Sequence, residues 1–168
     1  LGLYNYVWAE ETDSGLSIEI KDESSDYLPT DERNLVYSSM MAVYKKVGVK
    51  PKGLHIILEN NIPVTRGLGS SAAGIVGGLL AAALTGSKLD KHQLLNMASA
   101  IEGHPDNAAP AIFGGMTVNV TANNDIKGVK IKLPDDLKFA AFIPDFFLAT
   151  KKSRSILPRK VSMRDAVF

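Results

Sequence analysis

The stretch that decides the fold is Asn61-Ile62-Pro63-Val64-Thr65-Arg66-Gly67-Leu68-Gly69-Ser70-Ser71-Ala72-Ala73. The apolar run 54–59 before it predicts a strand, and the small apolar residues 72–84 after it predict a helix that is buried on most sides. Glycines let a backbone approach a ligand closely, because no Cβ intervenes and positive φ is allowed. The sequence therefore predicts a strand, a glycine-rich loop and a helix in direct succession.

The segments around this unit complete an α+β pattern. Apolar residues recur at helical spacing over 32–47, and Gly48 ends that helix. Asp90 with Gln93 forms a capping-box pattern, which predicts the start of a third helix. Strands are predicted near residues 3–9, 14–21, 54–59, 115–121, 127–132 and 138–143.

Composition excludes several classes of function. The 168 residues carry a formal net charge of +1, so the overall charge predicts neither a nucleic-acid partner nor a membrane surface. There is no cysteine, which excludes disulfides and cysteine-based zinc sites and is compatible with a cytoplasmic protein. The most apolar run, Ala72–Leu84, is shorter than the roughly 20 residues that a membrane-spanning helix needs.

The glycine-serine stretch has the features of a phosphate-binding loop. A helix that follows such a loop presents free N–H groups and a positive dipole end to an anion. A Walker A loop is excluded, because Ser70 stands where its lysine is required. A dinucleotide fingerprint matches Gly67, Gly69 and Ala72, with Asp90 roughly 20 residues further on. In that fingerprint the glycine loop follows the strand directly, whereas in this sequence seven residues separate Glu59 from Gly67. A glycine-rich helix start without any ligand is the third interpretation.

A second segment, Glu102-Gly103-His104-Pro105-Asp106-Asn107, concentrates polar side chains at the end of the third helix. Pro105 stops the helix, so that His104 and Asp106 can both point into a loop cavity. Asp106 could accept a substrate ammonium group or a nucleophilic hydroxyl, and Asn107 could orient a phosphate oxygen. A capped turn with a structural histidine is the alternative interpretation.

The first motif, Pro63-x-x-x-Gly67-Leu68-Gly69-Ser70-Ser71-Ala72-Ala73, resembles the phosphate-binding motif of the GHMP kinases. The resemblance implies ATP as the phosphoryl donor and Mg²⁺ as the cofactor, with Ser71 as the preferred metal ligand ahead of Ser70. The ATP-binding residues that it implies are Pro63, Val64, Thr65, Arg66, Gly67, Leu68, Gly69, Ser70, Ser71, Ala72 and Ala73.

The second motif, with Ala109-Pro110-Ala111 and Gly114-Gly115 after it, resembles the homoserine kinase branch of that family. The mevalonate kinase and galactokinase branches tend to carry a Ser-Gly-x-Asp arrangement here. The resemblance implies L-homoserine as the substrate and Glu102 as a second metal ligand. Thr150-Lys151-Lys152-Ser153-Arg154 is similar to the family's Thr-x-x-x-Arg segment. The implied substrate-binding residues are His104, Asp106, Thr150 and Arg154, and the implied catalytic residues are Asp106 and Asn107.

The resemblance also implies a domain organisation. Residues 1–150 would form the family's N-terminal ATP-binding domain, a two-layer fold like that of ribosomal protein domains, without its first strand. Residues 151–168 would lead toward a ferredoxin-like C-terminal domain outside this chain, and the isolated chain would be inactive. A homodimer is expected. Another small-molecule kinase of the family, such as a mevalonate kinase, or a non-catalytic nucleotide-binding domain is the alternative.

Overall fold

The computed structural model describes residues 2–85, 87–123, 125–143, 155–156, 158 and 160–167. A single 3₁₀ turn, Glu23–Asp26, follows the second strand. The strands and helices are β1 (Asn5–Thr12), β2 (Gly15–Ile20), α1 (Leu35–Val47), β3 (Gly53–Asn60), α2 (Ser70–Ala83), α3 (Lys91–Glu102), α4 (Ala108–Phe113), β4 (Met116–Ala122), β5 (Asp125–Ile131) and α5 (Met163–Val167).

Most of the predicted elements are confirmed, and two differences have physical causes. Helix α4 was not predicted, because Pro110 reads as a helix breaker; it stands in the first turn, where its missing N–H costs no hydrogen bond. The strand predicted near 138–143 is wrong, since these described residues pair with no other strand. A strand needs a ladder partner, and Phe142 is exposed here.

The three-stranded sheet has the order β1-β3-β2. β1 is antiparallel to β3, with Val7 opposite Leu58, and β2 is parallel to β3. The turn between β1 and β2 crosses the start of β3 at Gly53, which pairs with both neighbouring strands. A Cβ at Gly53 would overlap the backbone of Ser14, so this crossing requires glycine.

Two helices cover one face of this sheet and form the main core. Ile56 and Leu58 of β3 are fully buried in one cluster with Met40 of α1 and Leu79 of α2. No described helix or strand covers the other sheet face, and Trp8 on it is 48% exposed. The chain is therefore a two-layer α+β fold, as predicted.

Helix α2 lies close to its neighbours because glycines face them. A Cβ at Gly78 would overlap the backbone carbonyl oxygen of Val36 in α1, and one at Gly77 would lie 2.9 Å from a methyl group of Val7 in β1. The small residues of α2 therefore fix its position on both α1 and the sheet. Because α2 is a continuous helix, this packing also sets the position of its first residue, Ser70.

The hairpin of β4 and β5 forms a second, two-stranded sheet beside α3 and α4. Ile126 is buried against the helices, and the Asn96 side chain of α3 accepts a hydrogen bond from its N–H at 3.0 Å. The same side chain donates to Asp125 at 3.0 Å. These contacts attach the hairpin to α3 and direct the helix end that carries the second motif.

Candidate phosphoryl-transfer site

The loop of residues 61–69 leads from β3 into α2, as the sequence predicts. Gly69 is the N-cap of α2 with φ of 77°, and no described side chain makes a capping hydrogen bond there. Ala73 makes the first intrahelical bond, from its N–H to the carbonyl of Gly69 at 2.9 Å. The N–H groups of Ser70, Ser71 and Ala72 have no intrahelical acceptor, which leaves them to an anion or to water.

The loop backbone turns through two glycines in the left-handed region. Gly67 has φ of 75° and Gly69 has φ of 77°. Thr65 also has a positive φ, of 56°, which is uncommon for a β-branched residue. No atom of the described residues lies within 4 Å of a Cβ built on Gly67, so this part of the chain leaves open space beside the loop there. An anion could approach the backbone from that side.

The second motif lies directly against this loop. Gly103 ends α3 with φ of 89°, which reverses the chain after Glu102. The Ser71 hydroxyl donates a hydrogen bond of 2.8 Å to the Glu102 carboxylate. A Cβ at Gly69 would lie 3.3 Å from Cγ of Asn107, so the asparagine packs on the loop backbone. Two motifs more than 30 residues apart thus form one site.

His104 and Asp106 extend from the turn between α3 and α4. Their nearest atoms, Nδ1 and Oδ2, are 3.9 Å apart, which is too long for a hydrogen bond. The His104 side chain is 17% exposed, whereas that of Asp106 is 65% exposed. Nδ1 of His104 is buried and has no hydrogen-bond partner among the described residues. A carboxylate open to solvent beside a buried imidazole suits a polar ligand that brings its own donors and acceptors.

Glu102 and Ser71 are suited to a hard divalent cation. Carboxylate and hydroxyl oxygens are the donors that Mg²⁺ prefers, and phosphate oxygens and water normally complete its coordination. Within the described residues, His, Asp and Glu side chains form no group of three that could hold a metal ion. A metal at this position would therefore depend on ligands that arrive with a nucleotide.

The remaining predicted residues are Asp90, Thr150 and Arg154. Asp90, the acidic residue of the dinucleotide interpretation, caps α3 by accepting from the N–H of Gln93 at 2.8 Å. Thr150 and Arg154 lie outside the described residues.

Among the residues that the structure describes, none belongs to a helix both long and apolar enough to cross a membrane.

Sequence reasoning missed the side chains that hold the start of the loop. Asn5 in β1 and Asp22 just after β2 bond to the chain at Ile62 and Asn60, respectively. Asparagine and aspartate are common at strand ends and turns, so their spacing gave no signal of this role.

Comparison with known proteins supports a single family. The family described as GHMP kinases N terminal domain matches residues 34–115. A homoserine kinase from Petrotoga mobilis is 48% identical over 169 residues, which cover 100% of this chain and 55% of that protein. A homoserine kinase from Caldicellulosiruptor saccharolyticus is 47% identical, again across 100% of this chain, and is covered over 54% of its length.

A solved structure agrees with these relatives. The crystal structure of homoserine kinase from Cytophaga hutchinsonii matches 97% of this chain and 54% of that chain, with a TM-score of 0.80 and 30% sequence identity. The chain spans about half the length of the curated relatives it matches. Fold, site and relatives agree on one assignment: the chain belongs to the GHMP kinase family, whose N-terminal domain it contains.

Proposed function

We propose that the full-length gene product is a homoserine kinase, which transfers the γ-phosphoryl group of ATP to the side-chain hydroxyl of L-homoserine. The observation that carries this proposal is the meeting of the two motifs at the start of α2, where Ser71 bonds to Glu102 and Asn107 packs on Gly69. Transfer forms a bond from the hydroxyl oxygen to phosphorus, breaks the bond to the β-phosphate bridge, and releases the hydroxyl proton.

Residues 63–73 would hold the triphosphate. The loop is open beside Gly67, and the free N–H groups of Ser70, Ser71 and Ala72 point out of the helix start. These donors, together with the helix dipole, favour negative charge at one fixed place. Their contribution to catalysis is to hold phosphate oxygens in position and stabilise charge that develops on them.

Ser71 and Glu102 would hold Mg²⁺. Their oxygens are 2.8 Å apart, so one cation can contact both after the hydrogen bond between them opens. Mg²⁺, when bound, supplies positive charge to the phosphates of ATP. The Glu102 carboxylate would hold the cation at the end of α3, next to the turn that carries His104 and Asp106.

His104, Asp106 and Asn107 would form the acceptor side of the site. The exposed Asp106 carboxylate can bind the ammonium group of the amino acid or orient its hydroxyl. Asn107, which packs on the loop backbone at Gly69, would orient a phosphate oxygen during transfer. Arg154 and Thr150 remain predicted contacts for the homoserine carboxylate and for the reacting hydroxyl. A small molecule is thus the expected partner, and a homodimer and a cytoplasmic location stay predictions.

A coupled ADP-release assay tests the proposal on the full-length gene product. ADP release is measured with L-homoserine, mevalonate and galactose as acceptors, each with and without Mg²⁺. Homoserine-dependent, Mg²⁺-dependent release is the expected result. Activity with mevalonate alone would overturn the substrate, and ATP binding without any acceptor activity would indicate a nucleotide-binding domain instead.

A further inference from the structure

The loop of residues 61–69 has a backbone conformation that contacts with the rest of the protein must stabilise. Thr65, Gly67 and Gly69 all have positive φ, and Thr65 is β-branched. Such a backbone persists only where the surrounding structure fixes it. At the end nearer α2, the packing of Asn107 on Gly69 provides that support. The end nearer β3 requires a second source.

One side chain in β1 and one just after β2 hold the chain where it leaves β3. Asp22, just after β2, accepts from the N–H of Asn60 at 2.7 Å and from the Asn60 side chain at 3.4 Å. The same side chain of Asn60 donates to the Ser24 hydroxyl at 2.9 Å. From the other side, Asn5 at the start of β1 accepts from the N–H of Ile62 at 3.0 Å. We call Asn5 and Asp22 the loop anchors.

The two loop anchors differ in what they contribute. Burial opposes the charge on Asp22, but hydrogen bonds from Ser24 and Asn60 outweigh it and hold the pKa of this carboxyl below its ordinary value. Asn5 keeps its side-chain nitrogen buried without a hydrogen-bond partner in the described part of the chain. Burying an unpaired donor opposes folding. Asn5 therefore directs the chain at Ile62 while adding little net stability.

We propose that the loop anchors Asn5 and Asp22 are positioning residues for nucleotide binding. Each bonds to Ile62 or Asn60, before the first phosphate-binding position, and acts on ATP only through the path that the loop takes from β3 to α2. The inference rests on the proposed function but adds residues that lie outside both motifs. Without the anchors, the start of the loop gains freedom that nucleotide binding must then remove.

Steady-state kinetics of the full-length gene product test this proposal. The variants are Asp22→Asn and Asn5→Ala, and the control is Asp31→Asn. Asp31 also accepts from a backbone N–H, that of Arg33 at 2.9 Å, but it lies in an exposed turn before α1. We expect the KM for ATP to rise about tenfold in both anchor variants, with kcat and the KM for homoserine within about twofold of wild type.

Amide hydrogen exchange of the nucleotide-free protein provides a second readout. Both anchor variants should exchange faster over residues 62–69, whereas Asp31→Asn should not. A fall in kcat alone, or unchanged exchange in the loop, would overturn the inference, because the first result means that the anchors do not act on ATP binding and the second that they do not fix the loop. If Asp22→Asn fails to fold, Asn5→Ala decides. A wild-type protein that binds no ATP would overturn the proposed function itself. If the wild type binds ATP and both anchor variants bind it equally well, only the inference about the anchors fails.

Discussion

The two ends of helix α2 differ in how they meet the rest of the protein. Its middle and second half are packed closely, with Gly78 against the backbone of Val36 and Gly77 against Val7. Its first turn begins at Gly69 without a side-chain cap and borders the open space beside Gly67. One helix therefore joins a rigid scaffold to a free set of N–H donors.

Glycine therefore serves two separate purposes within one short segment. At Gly78 it provides space, because a Cβ has nowhere to go. At Gly67 and Gly69 it provides backbone conformation, because φ is positive. Changes at the packed end should alter the free energy of unfolding, whereas changes at the open end should alter binding and turnover.

The largest expected effect belongs to the turn between α3 and α4, which lies beside the open end of α2. Asp106→Asn should lower kcat about a thousandfold, because it removes the charge that orients the substrate. The melting temperature and the affinity for ATP should stay close to wild type, since the side chain is mostly exposed. Turnover and calorimetry on Asp106→Asn and on the exposed control Asp13→Asn measure both. Parallel losses of turnover and stability would assign Asp106 to folding instead.

The packed end should show the largest loss of stability. Gly78→Ala should lower the free energy of unfolding by about 3 kcal/mol, because the added methyl group overlaps the carbonyl of Val36. Gly74 offers a matched control in the same helix, since its Cβ would lie 3.7 Å from a Val36 methyl group, an ordinary contact. Gly74→Ala should be neutral or stabilising by up to about 1 kcal/mol. Urea denaturation of both variants decides, and equal effects would contradict the account.

A smaller effect separates the two glycines of the loop. Alanine at either Gly67 or Gly69 strains a positive φ by about 1 kcal/mol. Only at Gly69 does the new methyl group meet Asn107, at 3.3 Å. ATP affinity measured by titration calorimetry should therefore fall about tenfold further in Gly69→Ala than in Gly67→Ala. Equal losses would mean that contact between the two motifs has no part in binding.

The smallest effect concerns the acid stability of the loop anchor Asp22. Its folded-state pKa lies below the unfolded one, so its stabilisation is complete above about pH 4 and is lost as pH falls through the folded value. Asp22→Asn should cost about 1 kcal/mol at pH 7, and the difference from wild type should shrink below about pH 4. Thermal unfolding at pH 7 and at several pH values below about 4 checks the trend. A difference independent of pH would show that the charge is not involved.

Local signals in the sequence were sufficient for most elements. Asp90 and Gln93 predicted the start of α3, and both hydrogen bonds of that capping box are present. Gly48 ends α1 with φ of 73°, as a helix-ending glycine should. Such features depend on neighbours within one turn, which the sequence itself records.

Features that depend on distant partners were harder to predict. The strand-like pattern of 138–143 has no ladder partner, and strand formation is decided by that partner. Glu102 and Ser71 were matched through family resemblance, because 31 positions separate them along the chain. The anchors Asn5 and Asp22 depend on the sheet order, which places β3 between two strands that precede it. No spacing in the sequence encodes that order.

The most direct test of the account is an amide-resolved NMR titration of the full-length gene product with ADP and Mg²⁺. The largest chemical-shift changes should fall on the amides of Gly67 through Ala73, where free N–H groups begin α2. Binding of ADP that shifts other amides and leaves these seven unchanged would contradict it.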